Sequence, residues 1–134
     1  MKKRTLIALA LGCLLLAACG AEQKQEETTP MTYTQITQEE AQRIMREEEG
    51  YLIVDVRRSD EFAEGHIPGA VLVTLETIGA EMPAQLPDRN QKLLIYCRSG
   101  RRSKEAAQKL ADLGYSQVYE FGGILTWPGE ITRD

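Results

Sequence analysis

Histidine occurs once in this chain of 134 residues, at position 66, tryptophan once, at 127, and cysteine three times. A zinc site of the usual kind draws three or four ligands from cysteine, histidine and carboxylate. So few imidazoles and thiols predict no metal. No glycine-rich phosphate loop occurs either, so no nucleotide cofactor is expected. The longest apolar stretch, within residues 6–18, falls short of the ~20 residues that span a bilayer. An excess of positive charge is also missing: 16 basic residues face 20 acidic ones, a net charge of −4, which argues against a nucleic-acid partner. What is present is ordinary, with 43% apolar and 27% charged residues, the composition and length of one globular domain.

The apolar stretch has its own meaning. Lys2, Lys3 and Arg4 precede it, and the small residues Ala17 and Ala18 follow it, the order of a secretory signal. Leu16-Ala17-Ala18-Cys19 resembles the lipobox of bacterial lipoproteins. That resemblance implies cleavage of residues 1–18, lipidation of Cys19 and anchoring at the extracytoplasmic face of a membrane, since each buried methylene contributes ~0.8 kcal/mol. Residues 19–32 are polar and aperiodic and read as a flexible tether. Residues 33–134 form the domain. With Cys13 in the signal and Cys19 lipidated, Cys97 is the one cysteine left to the domain. A lone thiol in an exported protein is either inert packing or kept for chemistry.

Along the domain, Thr37 and Glu40 predict a capped helix from about Gln38 to Glu48, with Ala41, Ile44 and Met45 on its apolar face. Tyr51–Val56, Val71–Val73, Lys92–Tyr96 and Gln117–Glu120 read as short buried strands. Ser59 is expected to cap a helical turn over 59–62, a helix is expected over 75–86 with Pro83 disturbing it, and Ser103 is expected to cap a helix to about Leu113. Strands alternating with helices predict an α/β fold with a central, mostly parallel sheet and helices on both faces. Ligands of such folds bind at the carboxyl ends of the strands, and Cys97 stands there.

Cys97-Arg98-Ser99-Gly100-Arg101-Arg102-Ser103 carries the chemistry. A buried strand ends at a cysteine, and a helix begins a few residues later. Amides of the turn and the partial positive charge of the helix N-terminus favour an anion, here a thiolate, the nucleophilic form of the side chain. Gly100 provides backbone freedom. Arg98, Arg101 and Arg102 cluster in an otherwise acidic domain, which points to a small anionic substrate. An exposed, charged sulfur is expected at position 97.

These residues resemble the active-site loop of single-domain rhodaneses, the thiosulfate sulfurtransferase family. Asp55-Val56-Arg57, Glu61-Phe62 with Gly65-His66-Ile67-Pro68-Gly69-Ala70, and Gly122-Gly123 followed by Trp127 resemble the family's other segments in the same order. The resemblance spans about Tyr33 to Trp127. It implies a rhodanese-like fold and a Cys97 persulfide. Sulfur would pass from a donor such as thiosulfate to a thiol or cyanide, with residues 98–103 binding the donor. It also implies structural roles for Asp55, Arg57 and His66, although histidine beside cysteine is otherwise a catalytic pairing. A monomeric domain without cofactor is expected. Two alternatives stay open: a membrane-anchored sulfur carrier or binding module with little turnover, and a cysteine phosphatase or arsenate reductase. Against the phosphatase, the sixth residue after Cys97 is Ser103, with arginine one position earlier.

Overall fold

The computed structural model describes residues 30–134. The expected signal peptide, the lipidation site Cys19 and most of the tether lie outside the described residues. The elements in chain order are β1 (Thr34–Gln35), α1 (Gln38–Glu47), β2 (Tyr51–Asp55), α2 (Ser59–Glu64), β3 (Val71–Leu72), β4 (Lys92–Cys97), α3 (Arg101–Asp112) and β5 (Val118–Gly123). Single 3-10 turns lie at Leu75–Thr77 and Ile124–Thr126. The five strands form one sheet in the order β1-β5-β4-β2-β3, and every pairing is parallel.

The sheet separates two cores, and β4 shows how. Its side chains alternate between faces, as strand geometry requires. Leu93, Ile95 and Cys97 join Ala106, Ala107 and Leu110 of α3 on one side. Leu94 and Tyr96 join Ala41 and Ile44 of α1 on the other. Burial on both faces explains why β4 reads as an uninterrupted apolar run rather than an alternating one. Each large side chain so buried contributes ~1.5–3 kcal/mol.

Local signals account for most boundaries. Thr37 Oγ1 accepts the Glu40 amide at 3.0 Å and starts α1. Gly114, at φ +96°, follows the end of α3 in the left-handed conformation that glycine tolerates.

Three expectations need correction. Residues 75–86 are not a helix: only Leu75–Thr77 turns, because Gly79 and Pro83 interrupt the segment. Ile78 and Leu86 still reach the core. Arg58, not Ser59, is the residue before α2, and its amide is held by the Glu61 carboxylate at 3.0 Å. Ser103 does not cap α3, which starts two residues earlier behind Gly100. Gly122 and Gly123 end β5, where Gly123 aligns with Cys97 across a register shift, and a 3-10 turn follows at Ile124–Thr126.

Candidate active site

Cys97 is the last residue of the central strand β4, pointing toward α3. The turn to the helix is short, Arg98-Ser99-Gly100, and Gly100 makes it possible at φ +106°. The Gly100 N–H donates to Cys97 Sγ at 3.0 Å. The thiol donates to Ser103 Oγ at 3.3 Å. The expected exposed sulfur is corrected here: the Cys97 side chain is 1% exposed. Its setting is nevertheless polar on the loop side. The expected ring of amides reduces to one N–H within reach, backed by the N-terminus of a 12-residue helix.

Gly123 is why the loop can sit so low. An added Cβ there would lie 2.5 Å from Ser99 N and closer still to the Arg98 carbonyl. The loop therefore rests directly on the β5 backbone. The Arg98 carbonyl also accepts Leu125 N–H at 3.2 Å.

The arginines divide into two kinds. Arg102 makes a two-pronged pair with Glu61 of α2, at 2.7 and 2.8 Å, and both are largely buried. The Arg102 guanidinium holds the Glu61 carboxyl down at about 2. Arg102 thus braces the loop against α2. Arg98 and Arg101 are exposed and form no ion pair among the described residues. With Ser99, Arg102, Arg58, Glu61 and Glu76 they line a polar cavity of about 510 Å³. Cys97 lies behind the loop rather than on the cavity wall. Ser103 is wholly buried, so it serves the sulfur from beneath instead of meeting a substrate directly.

Asp55 and Arg57 are buried together, with Arg57 Nη2 2.7 Å from Asp55 Oδ2 and 2.7 Å from the Gly65 carbonyl. Tyr96 O–H donates to Asp55 Oδ2 at 2.7 Å and accepts from the Ile67 amide. Burial pushes the Tyr96 phenol up, and the Asp55 charge adds to the effect. The network ties the ends of β2 and β4 to the 65–67 turn. His66 stacks on Phe62 with ring centroids 3.7 Å apart, and its Nδ1 lies 2.8 Å from the Phe62 carbonyl. Its backbone pairs with Thr132. No hydrogen bond links it to Cys97, so it builds the turn.

Sequence reasoning missed the partner of Arg102, the steric role of Gly123 and a buried acid, Glu120, 1% exposed on β5. The last left a trace: a charged residue inside Val118-Tyr119-Glu120-Phe121 is out of place in a buried strand. Glu61 gave no such signal, because its arginine is 41 positions away.

Residues 37–129 match the model of the rhodanese-like domain. Among curated proteins, the chain is 38% identical over 89 residues to the putative sulfurtransferase YtwF of Bacillus subtilis, covering 66% of this chain and 84% of that one. It is 31% identical over 71 residues to the thiosulfate sulfurtransferase PspE of Escherichia coli, covering 53% and 68%. Among solved structures, a rhodanese-like domain protein of Staphylococcus aureus superposes with a TM-score of 0.62 at 33% identity, covering 72% of this chain and 93% of that one.

Proposed function

We propose, from the premise that this chain belongs to the rhodanese-like family, that it is a sulfurtransferase working through a persulfide on Cys97. The observation that carries the reading is the Gly100 N–H aimed at Cys97 Sγ at 3.0 Å, at the head of α3. A donor amide and a helix N-terminus fixed in place stabilise negative charge on sulfur without reorganising. The thiolate attacks the outer sulfur of a donor such as thiosulfate, the donor's S–S bond breaks, and sulfite leaves with the bonding pair. The persulfide then passes its outer sulfur to a thiol or cyanide, which completes two covalent half-reactions.

Arg98 and Arg101 attract the anionic donor, because they lack carboxylate partners among the described residues, whereas Arg102 is neutralised by Glu61. The buried sulfur requires the 98–100 turn to lift or breathe as the donor enters. The relatives' names support sulfur transfer as the activity; the donor is assigned on charge. Residues 1–19 support placement of this domain at an extracytoplasmic membrane surface through lipidated Cys19.

The test is mass spectrometry after incubation with thiosulfate. One sulfur atom is gained on Cys97, thiol or cyanide discharges it, and Cys97→Ser gains none. Sulfur transfer that survives in Cys97→Ser refutes the mechanism.

A further inference from the structure

Glu120 is a buried acid that the sulfur-transfer scheme leaves unused. Its Oε1 accepts Ser103 O–H at 2.6 Å and Gly122 N–H at 2.8 Å. Its Oε2 accepts from Gln35 Nε2 of β1 at 3.2 Å. No lysine, arginine or histidine among the described residues forms an ion pair with it. A carboxylate removed from water without a counter-charge is costly, and such groups concentrate at functional sites.

Ser103 joins this acid to the nucleophile. Its oxygen lies 3.3 Å from Cys97 Sγ and 2.6 Å from Glu120 Oε1. It also has the Gly100 carbonyl at 3.0 Å and the Gly122 carbonyl at 3.3 Å. A hydroxyl has one proton to give, and the short contact to a carboxylate is the strongest claim on it. The serine lone pairs are then left to the thiol, which donates to them. Cys97, Ser103 and Glu120 are exposed by only 1%, 0% and 1%, so the chain of hydrogen bonds is shielded from bulk solvent.

We propose that Glu120 is the internal proton acceptor for Cys97, reached through the Ser103 hydroxyl. The inference rests on Cys97 being the nucleophile of the sulfurtransferase reading. Before attack, the S–H proton moves to Ser103 Oγ and the serine proton moves to Glu120 Oε1, which leaves the attacking thiolate. The electron pair freed on sulfur forms the new bond to the donor's outer sulfur, and sulfite departs with the pair of the broken bond. Atoms and charge balance: thiol and carboxylate become bonded sulfur and carboxylic acid. Glu120 acts through Ser103 and is a positioning residue. The groups facing this relay are Cys97 on β4 and Gln35 on β1, and the nearby Arg102 of α3 is held by Glu61.

An internal acceptor takes up the thiol proton within the site, whereas Glu120→Gln keeps neighbouring hydrogen bonds but leaves the thiol without that acceptor. The experiment follows alkylation of Cys97 by iodoacetamide against pH in the full chain, with peptide mapping to separate Cys97 from Cys13 and Cys19. This readout needs no sulfur donor. At a fixed near-neutral pH the alkylation rate falls by about tenfold or more in Glu120→Gln. Ser103→Ala moves it the same way, Ser103→Thr restores it, and the double variant adds nothing further. A profile unchanged in both folded Glu120→Gln and Ser103→Ala overturns the relay; if Glu120→Gln does not fold, Ser103→Ala decides alone. Failure of thiosulfate to load Cys97 in the unmodified chain would instead count against sulfur transfer, and the alkylation profile would still decide the relay.

Discussion

Gly123→Ala isolates the position of the active loop from its chemistry. The substitution adds one methyl group, and the backbone at φ −139° and ψ 160° is open to any residue, so conformational strain does not enter. The added Cβ would meet Ser99 N at 2.5 Å, where ordinary contact begins at 3.4 Å. The shortfall is about 0.9 Å, larger at the Arg98 carbonyl, and the obstacle is backbone, which cannot rotate away as a side chain can. The 98–100 turn must rise by that amount, which carries the Gly100 N–H off Cys97 Sγ and weakens the Arg98 carbonyl bond to Leu125. Overpacking of this kind costs about 1–3 kcal/mol, which lowers Tm by at least about 5 °C in a domain of this size. A misplacement near 1 Å lowers the rate of a positioned reaction by about 100-fold. The assay is single-turnover loading of Cys97 by thiosulfate, read by mass, beside a thermal melt. Gly79→Ala is the control, since nothing lies within 4 Å of its Cβ, and it leaves both readouts unchanged. Wild-type loading and Tm in Gly123→Ala would refute the argument that the loop rests on β5 by contact.

Three other outcomes follow from the same geometry. Arg98→Ala and Arg101→Ala each raise KM for thiosulfate by about tenfold at low ionic strength, and the difference shrinks as salt screens the cavity; steady-state kinetics at two salt concentrations check it. Glu61→Gln removes the partner of Arg102 and destabilises the fold by about 1–2 kcal/mol at neutral pH, between the values of surface and buried pairs. Because the Glu61 carboxyl is held down at about 2 from its ordinary 4.5, that stabilisation is present above pH 4.5 and is lost as pH falls toward 2. The denaturation midpoints of the two proteins should therefore converge in acid. On the proposal that Cys19 is lipidated, Cys19→Ser shifts the protein from the membrane fraction to the soluble one when the full chain is expressed in a bacterium and fractionated.

The strands at 51–55 and 92–97, the helix at 38–47, the body and end of the helix before Gly114, and the cysteine at a strand end were legible along the chain. Each is written in neighbours: an apolar run, a cap, a glycine stop. The segment at 75–86 misled because its apolar residues fit helical spacing while Gly79 and Pro83 break the backbone, so Ile78 and Leu86 reach the core from irregular chain. The loop's arginines were visible as a cluster, but their division was not. Arg102 differs from Arg98 and Arg101 only because Glu61 of α2 arrives beside it, and that depends on how α2 packs against the head of α3.

By itself the sequence determined a mostly parallel α/β sheet with a cysteine at the carboxyl end of a buried strand, because buried strands, caps and glycine turns are set by short-range sterics and hydrophobic pattern. Tertiary structure alone decided that the sulfur is covered, that one amide reaches it, and that Ser103 and Glu120 stand in line behind it. Those contacts join β4, β5 and α3 across up to 17 positions of chain. Hydrogen bonds of a few ångströms are fixed by the packing of whole elements, which no local pattern specifies.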